Sequence, residues 1–396
     1  MFVHKIVYNI VKDFSRTFFT KIGDKIMNMN FYAPVNIITG KNCVKENAKL
    51  FTSYGKKCLI VTGKTSAKKC GALDDVTSAL DSVNISWSIF DGIEQNPTYD
   101  SCLKASELAK DIGAEFIVGI GGGSPLDAAK AIAVLSAVKD TSAKTLYSME
   151  WDAQPLPVIA IGTTAGTGSE VTPVAVITTP EGMKKSFKSV DIFPKIAFGD
   201  ATYTMSLPAD FTRSTALDAL SHSIEAYFNK FTNDICRTYA LRSIEILLPM
   251  LEKTAKCDET PLTFEDREKL YCASVYAGLA ISIAGTCFPH ALGYFLSEQF
   301  SIAHGNACAI YLEDFINYNI SVAPIDAKGF FDALRCDKET ILNLIKVNLP
   351  ENTLTLSREK IDELLPRYEN NKNFNKCYGN IGKNFAEEVL TKLFLK

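Results

Sequence analysis

The sequence predicts an α/β half with a parallel sheet, followed by an all-helical half. Short runs rich in Val and Ile alternate with helical stretches up to about Pro208, and after this point only long helix-like segments follow. The 396 residues exceed one ordinary core, because a domain has roughly 150 residues. We therefore expect an N-terminal extension of unknown role (1–28), an α/β domain (29–207) and a helical domain (208–396).

The predicted strands are nearly continuous apolar runs, which is typical of a parallel sheet that helices cover on both faces. They are Cys58–Thr62, Ser86–Phe90, Glu115–Ile120, Pro157–Ile161, Val174–Thr178 and Ile196–Phe198. The predicted helices of the first half are Tyr99–Ile112 and Pro125–Ala137. Those of the second half include Phe211–Phe228, Asp234–Lys256, Phe264–Ala284 and Phe288–Gln299.

Composition excludes several classes of protein. The chain has 42 Lys and Arg against 45 Asp and Glu, so we expect no attraction to nucleic acid or to anionic membranes. No apolar stretch reaches the ~20 residues of a membrane-spanning helix, and no membrane partner is expected. The 11 cysteines form no CxxC pair, which favours reduced thiols and a cytoplasmic location. Organellar import through residues 1–28 stays open as an alternative.

A strand, a glycine turn and a helix start follow one another in Phe116–Lys130. The adjacent glycines Gly121–Gly123 let backbone N–H groups approach an anion, and the helix N-terminus adds partial positive charge. Ser124 is the predicted N-cap, with Pro125 in the first helical position. This pattern indicates phosphate binding. The alternative is an ordinary turn between strand and helix, for which one glycine is sufficient.

A second loop of glycines and hydroxyls, Gly162–Glu170, also follows an apolar strand. Such loops suit phosphate or sugar contacts at the carboxyl edge of a parallel sheet. Neither standard nucleotide motif is met, because Ser124 replaces the last glycine of GxGxxG and Cys58 replaces the first glycine of a P-loop. Two loops of this kind favour a dinucleotide over a single phosphate.

Three of the four histidines belong to one pattern. Asp218 and His222 share a face of a predicted helix; they form either a metal-ligand pair or a simple Asp–His pair. His290 and His304 can join them only if the chain turns back, within Phe295–Ser301. One carboxylate and three imidazoles suit Fe²⁺ or Zn²⁺. A structural zinc site would more often use thiolate ligands, and we expect no cysteine to have the spacing of a zinc ligand.

A dinucleotide and a divalent metal together indicate hydride transfer, with the metal as a Lewis acid. A metal hydrolase is the competing class of enzyme. It would need a dedicated general base, such as the Glu of an HExxH motif, and it would leave both glycine loops without a role.

From about Asn30 onward, the sequence resembles the iron-containing (group III) alcohol dehydrogenase family. The resemblance is carried by Gly121–Ser124 with Asp127 and Lys130, by Thr163–Glu170, by Asp218 with His222, and by His290 with His304. It implies a Rossmann-like dinucleotide-binding domain, an all-α metal-binding domain, an active site between them and a homodimer. The implied ligands of Fe²⁺ or Zn²⁺ are Asp218, His222, His290 and His304.

The resemblance also implies which residues contact the cofactor. Gly122, Gly123 and Ser124 would hold its pyrophosphate. The other implied contacts are Asn96, Asp127, Thr163, Thr164 and Lys185. The substrate class that follows is a small primary alcohol or aldehyde; the alternative is a polyol dehydrogenase, of the glycerol or propanediol type, on the same fold.

The sequence departs from the family pattern at two places. Many members have a histidine four residues after the third ligand, where this chain has Tyr294. The proton path must then use Tyr294, water or a ribose hydroxyl of the cofactor; Tyr294 is the candidate residue, and no general base is assigned. Many NAD-dependent members have Asp where this chain has Gly63, which is followed by Lys64, Thr65 and Ser66. Loss of a carboxylate and gain of amines and hydroxyls favour a 2′-phosphate, and hence NADP(H) over NAD(H).

Overall fold

The computed structural model describes residues 29–395. From Tyr32 onward, the described chain forms one compact unit. The predicted order, an α/β half with a parallel sheet followed by a helical half, is confirmed. The N-terminal extension expected over residues 1–28 lies outside the described residues.

A six-stranded parallel sheet organises the α/β half. In chain order, the strands of the described residues are β1 (Asn36–Thr39), β2 (Lys57–Thr62), β3 (Ser86–Phe90), β4 (Phe116–Gly121), β5 (Val158–Gly162), β6 (Val174–Thr178), β7 (Lys184–Lys188) and β8 (Ile196–Gly199). The spatial order in the parallel sheet is β1-β8-β5-β4-β2-β3. The chain runs outward from β2 to β3 and returns to the other side of β2 at β4, so the strand order reverses between β2 and β4.

Helices cover both faces of this sheet, as the apolar strands predict. They are α1 (Cys43–Glu46), α2 (Ser66–Lys69), α3 (Ala72–Ser82), α4 (Tyr99–Asp111), α5 (Gly123–Ala137) and α6 (Ala143–Ser148). Side chains alternate along each strand. Leu59 and Val61 of β2 therefore lie in one core cluster with α4 and α5, whereas Cys58 and Ile60 lie in a second cluster with α3.

Ten helices of the described residues form the second half. They are α7 (Ala209–Tyr227), α8 (Asp234–Thr254), α9 (Phe264–Ala284), α10 (Phe288–Gln299), α11 (His304–Ala309), α12 (Leu312–Val322), α13 (Pro324–Leu334), α14 (Lys338–Asn348), α15 (Arg358–Leu364) and α16 (Lys383–Phe394). Local signals explain where several begin: Asn233 caps α8, and Thr263 with Asp266 forms a capping box at α9. α7 is buried almost throughout its second half, so it lies at the centre of this bundle.

The structure contains two strands that the apolar pattern does not predict, β1 and β7. β1 has four residues with no buried side chain, and β7 carries three lysines, so neither gives an apolar run. The expected place of Val174–Thr178 in the parallel sheet is wrong, because β6 pairs antiparallel with β7 in a separate hairpin. The tight turn that joins them uses Gly182, whose φ of 82° lies in the left-handed region.

No single helix within residues 29–395 is both long enough and apolar enough to cross a membrane. One pair, Phe264–Ala284 with Phe288–Gln299, passes this test only when taken together, and it is bent by 112°.

Close packing between α9 and the second glycine loop gives a test of the fold. A Cβ at Gly278 would lie 2.7 Å from Cγ2 of Val171 and 2.8 Å from the carbonyl oxygen of Gly168. We expect Gly278→Ala to lower the free energy of unfolding by about 1–3 kcal/mol, because the backbone must separate. Gly329→Ala in α13 is the matched control: its Cβ meets no atom closer than 3.5 Å. The control should be neutral or stabilising by up to about 1 kcal/mol; equal urea midpoints for the two variants would contradict this packing.

Candidate functional site

The loops that follow β2, β3, β4 and β5 meet at the carboxyl edge of the parallel sheet. In open α/β sheets, ligands bind outside this edge at the point where the strand order reverses, here between β2 and β4. The predicted cofactor residues at this edge are Gly63, Lys64, Thr65, Ser66, Asn96, Gly122, Gly123, Ser124, Thr163 and Thr164. The fold therefore brings together most of the predicted cofactor set.

The first glycine loop starts its helix earlier than predicted. α5 begins at Gly123 with Gly122 as the N-cap residue, so the predicted N-cap at Ser124 and first helical position at Pro125 are wrong. The glycines allow the backbone to turn directly into the helix. Oγ of Ser124 instead accepts a hydrogen bond of 3.3 Å from the backbone N–H of Asn96. This bond ties the loop after β3 to the glycine loop.

The two glycine loops pack directly on each other. A Cβ on Gly122 would lie 2.9 Å from Oγ1 of Thr164, and one on Gly123 would lie 2.9 Å from Cγ2 of Thr167. Neither position accepts a side chain unless the second loop moves. No side chain caps α5, so the N–H groups of its first turn are available to an anion. The cradle therefore fits a pyrophosphate.

Asp127 and Lys130 hold the second loop and β6 against α5. Oδ1 of Asp127 accepts from Oγ of Ser169 at 2.6 Å, and Oδ2 accepts from the backbone N–H of Val176 at 2.9 Å. Nζ of Lys130 is fully buried and donates to the carbonyl oxygen of Val174 at 2.6 Å. Burial raises the pKa of Asp127, although the Lys130 ammonium opposes this shift. The structure thus gives Asp127 a scaffold contact; its contact with a cofactor stays a prediction.

The carboxyl end of β2 presents amines and hydroxyls to solvent. Lys64, Thr65 and Ser66 are exposed, and Gly63 is half-buried. A Cβ at Gly63 would lie 3.2 Å from the carbonyl oxygen of Ile93, so a side chain fits there after a small adjustment. No carboxylate occurs in this segment.

β7 directs its first two lysines to opposite faces of the hairpin. Nζ of Lys184 lies 5.9 Å from the ring centroid of Tyr294, and the backbone N–H of Lys184 donates to Oε1 of Glu298 at 3.3 Å. Nζ of Lys185 lies 4.6 Å from the ring centroid of Tyr147, and its side chain is exposed. The structure therefore brings Lys184, which the sequence did not single out, next to Tyr294. The cofactor contact of Lys185 stays a prediction.

Three helices bring the four predicted metal ligands together. α7 carries Asp218 and His222 one turn apart, α10 carries His290, and α11 carries His304. The expected reversal of the chain between the last two histidines is confirmed. It occurs after α10 ends, and Ser301 takes a left-handed φ of 55° there.

Oδ1 of Asp218 lies at a similar distance from all three imidazoles. Nε2 of His290 lies 3.6 Å away, Nε2 of His222 3.8 Å and Nε2 of His304 3.9 Å. A tetrahedral ion with metal–ligand bonds of about 2.1 Å separates its ligand atoms by about 3.4 Å. Each imidazole therefore lies at a distance from Oδ1 of Asp218 that suits a shared cation, and Asp218, His290 and His304 also lie within 4.8 Å of one another.

Unsatisfied polar atoms also indicate a cation. Oδ1 of Asp218 and Nε2 of His290 are buried and have no hydrogen-bond partner. A buried charge or polar atom without a partner costs free energy, and a divalent ion would satisfy both atoms. Nδ1 of His222 lies 3.3 Å from the carbonyl oxygen of Gly166. The other ring nitrogen of His222, Nε2, faces Asp218. The donor set therefore fits a divalent transition metal.

The electrostatics of the cluster favour the protonation states that ligands need at Asp218, His222 and His304, whereas at His290 the charges of Cys308 and Glu225 outweigh burial and raise the pKa. Burial raises the pKa of Asp218, but the nearby histidines outweigh it, and the net pKa lies below the usual range. Burial lowers the pKa of His222 and lowers that of His304 to about 3. The carboxylate is thus ionised and these two imidazoles are neutral near pH 7, as metal binding requires.

Cys308 also lies against this cluster. Its Sγ is 3.8 Å from Nε2 of His304, and with Asp218, His290 and His304 it forms a group whose donor atoms all lie within 4.8 Å of one another. The expectation that no cysteine has ligand spacing is therefore wrong. Cys308 follows His304 by one helical turn, which is the signal in the sequence that could have found it. Burial raises the pKa of this thiol to about 11.

Glu225 is the other residue that sequence reasoning missed. It lies on α7 with Asp218 and His222, and its Oε1 is 2.5 Å from Nδ1 of His290. Its spacing of seven residues from Asp218, two helical turns on one face, is a signal that the sequence contains.

Comparison with known proteins identifies the family. The profile of the iron-containing alcohol dehydrogenases matches residues 34–201, and the C-terminal profile of the Fe-containing alcohol dehydrogenase family matches residues 212–364. The chain is similar to 1,3-propanediol dehydrogenase of Citrobacter freundii, with 33% identity over 305 residues and 76% of each chain covered. It is also similar to an NADPH-dependent butanol dehydrogenase of Clostridium saccharobutylicum, with 31% identity over 295 residues and 74% of each chain covered.

A solved structure shows the same similarity in three dimensions. An iron-containing alcohol dehydrogenase of Thermotoga maritima superposes with a TM-score of 0.85 and 33% identity, covering 93% of this chain and 99% of that one. The chain described here is thus an oxidoreductase of the alcohol dehydrogenase class. It belongs to the iron-containing alcohol dehydrogenase family, which uses a metal ion together with NAD or NADP.

Removal of single donors tests the metal centre. We expect His290→Ala and His304→Ala to lose bound metal and activity but to keep the native circular dichroism spectrum, because the apolar packing of α10 and α11 is unchanged. Cys308→Ser is the matched control and should keep its metal, because His222 completes the donor set. Iron and zinc are measured on protein purified without oxygen. Metal lost from Cys308→Ser but kept in His222→Ala would contradict the predicted ligand set.

Proposed function

We propose that this protein is an NADP(H)-dependent alcohol dehydrogenase or aldehyde reductase for small primary alcohols and aldehydes, with Fe²⁺ at the metal centre and Zn²⁺ as the alternative. One observation carries the proposal. The imidazoles around Oδ1 of Asp218, which has no hydrogen-bond partner, lie beside the loops of the sheet edge, and Nδ1 of His222 contacts the carbonyl oxygen of Gly166 at 3.3 Å. Metal ligands and a phosphate cradle therefore share one site.

Contacts between the two halves support a fixed distance between metal centre and cofactor. A Cβ on Gly166 would lie 2.7 Å from the carbonyl oxygen of Thr215, so the second glycine loop packs on the backbone of α7. On the hairpin side, Nζ of Lys188 donates to the carbonyl oxygen of Ser282 in α9 at 3.0 Å. Hydride transfer needs reacting atoms held about 3–3.5 Å apart, and such close packing is suited to that demand.

The roles of the residues follow from this placement. When bound, a divalent ion would supply Lewis-acid polarisation of the substrate oxygen, and the nicotinamide would carry the hydride. Asp218, His222, His290 and His304 would hold the ion. The N–H groups at the start of α5 would hold the pyrophosphate. The chain itself thus contributes charge, orientation and exclusion of water rather than a covalent step.

Tyr294 is placed to take part in proton movement. Its ring stacks on that of His304 with centroids 5.8 Å apart, and Nζ of Lys184 lies nearby. Burial raises the pKa of Tyr294 to about 12, so the phenol keeps its proton near pH 7. We therefore assign Tyr294 to the proton path as a hydrogen-bond donor rather than as a general base.

The preference for NADP(H) rests on the residues after β2. The 2′-phosphate of NADP carries about two negative charges and strong acceptor oxygens, and Lys64, Thr65 and Ser66 offer an amine and two hydroxyls in the exposed position where a ribose would lie. Gly63 leaves no carboxylate to repel the phosphate. The butanol dehydrogenase to which the chain is similar is NADPH-dependent, which supports this choice.

Gly63→Asp tests the cofactor preference. The new carboxylate would repel a 2′-phosphate and accept a hydrogen bond from a 2′-hydroxyl. The ratio of kcat/KM for NADP to that for NAD should fall by about 10- to 100-fold, which corresponds to the 1.5–3 kcal/mol of a hydrogen bond to a charged group. Gly63→Asn is the matched control, because it adds the same shape without charge, and it should shift the ratio less. An unchanged ratio in Gly63→Asp would count against NADP.

A substrate panel tests the proposed activity and its alternative. With NADPH oxidation as the readout, small unbranched aldehydes such as butanal should give the highest kcat/KM. The similarity to 1,3-propanediol dehydrogenase favours one second candidate, a polyol dehydrogenase on the same fold. Higher kcat/KM for 3-hydroxypropanal, or for glycerol and 1,3-propanediol in the reverse direction, would establish that alternative. No turnover of any alcohol or aldehyde by the metal-loaded protein would refute both.

A further inference from the structure

Glu225 is a buried carboxylate that none of the steps above uses. It lies on α7 and has no exposed surface. Its Oε1 lies 2.5 Å from Nδ1 of His290, and its Oε2 accepts a hydrogen bond of 2.6 Å from the backbone N–H of Cys287. Both carboxylate oxygens therefore contact the start of α10, the helix that carries the third metal ligand.

The first contact determines which nitrogen of His290 can bind a metal. An ionised carboxylate only accepts hydrogen bonds, so Nδ1 of His290 must carry the proton that faces Oε1. The lone pair then lies on Nε2, which points toward Oδ1 of Asp218 at 3.6 Å. A carboxylate behind a ligating imidazole fixes the tautomer and the ring orientation, and it makes the imidazole a stronger donor.

The second contact anchors the helix itself. Cys287 is the N-cap residue of α10, yet its side chain makes no capping hydrogen bond. A helix N-terminus has unsatisfied N–H groups and partial positive charge, and Glu225 supplies both an acceptor and a negative charge from α7. One side chain thus sets the rotation of the His290 ring and the position of α10 relative to Asp218.

Among the described residues of the cluster, His290 alone has this support. Nδ1 of His222 faces a neutral carbonyl, that of Gly166. The ring nitrogens of His304 lie 3.8 and 3.9 Å from Sγ of Cys308. With Glu225, the site holds two carboxylates against the two positive charges of a divalent ion.

We propose that Glu225 is a positioning residue of the metal centre, which holds His290 as an Nε2 ligand and strengthens the binding of the metal by its charge. This inference rests on the metal centre of the proposed function.

Glu225→Gln tests the inference with the metal itself as the probe. An amide keeps the shape, but in either orientation it places an NH₂ group against Nδ1 of His290 or against the N–H of Cys287. We expect the dissociation constants for Zn²⁺ and Co²⁺, measured by chelator competition on the full chain, to rise about 10- to 100-fold. The absorption bands of bound Co²⁺ should shift as well, because the orientation of a ligand changes. Glu225→Asp keeps the charge with a shorter reach and should give a smaller rise.

Asp266→Asn is the matched control. Asp266 is also a buried carboxylate that caps a helix, since it accepts from the backbone N–H of Thr263 and from Nζ of Lys253, and it lies outside the site. This variant should lower the melting temperature of the metal-free protein and leave both metal dissociation constants unchanged. A purely structural role of Glu225 would reproduce that pattern.

The outcomes separate the inference from the proposed function. If the unmodified protein binds neither ion, the metal centre is refuted and this inference with it. If it binds both ions and the two Glu225 variants bind them as tightly as Asp266→Asn does, the inference alone is overturned. Should Glu225→Gln fail to fold, Glu225→Asp decides: a dissociation constant equal to that of the unmodified protein would overturn the proposal.

Discussion

A buried negative charge at the meeting point of three helices is the constraint on which the rest of the site depends. Asp218 is 3% exposed, and its Oδ1 has no hydrogen-bond partner. Removing a carboxylate from water costs several kcal/mol unless positive charge and hydrogen bonds compensate it. Two of the three imidazoles around Oδ1, those of His222 and His304, are neutral near pH 7 and can act as metal donors. A cation bound where α7, α10 and α11 converge would compensate this buried charge.

Close backbone contacts connect this centre to the sheet edge. A Cβ on Gly305 of α11 would overlap the carbonyl oxygen of Ser214, and one on Gly166 would lie 2.7 Å from that of Thr215. Both carbonyls belong to the turn of α7 that precedes Asp218. One helix turn thus contacts the second glycine loop on one side and the helix of His304 on the other. Because protein interiors are close-packed and transmit strain, a shift of the second glycine loop would reach the predicted metal ligands through this turn.

Much of the fold and the site could be predicted, because their signals are local. The apolar runs predict six of the eight described strands, and the spacing of Asp218 and His222 places them on one helix face. The failures share a cause. β7 is Lys-rich and becomes a strand only by pairing with β6, and Ser124 bonds to Asn96 instead of capping its own helix. In each case a contact with another segment of the chain outweighs the preference of the residues themselves.

The chemistry of the site also divides into features that the sequence predicts and features that depend on packing. The sequence by itself determined the kinds of donor that are present: one carboxylate and three histidines at helical positions, and two glycine loops after strands. Residue type and periodicity depend only on neighbours along the chain. The tertiary structure decided that Cys308 lies against His304, that Glu225 lies against His290, and that Lys184 instead of Lys185 approaches Tyr294. The direction of a side chain depends on how its helix or strand packs against others, and that packing is set by contacts between distant parts of the chain.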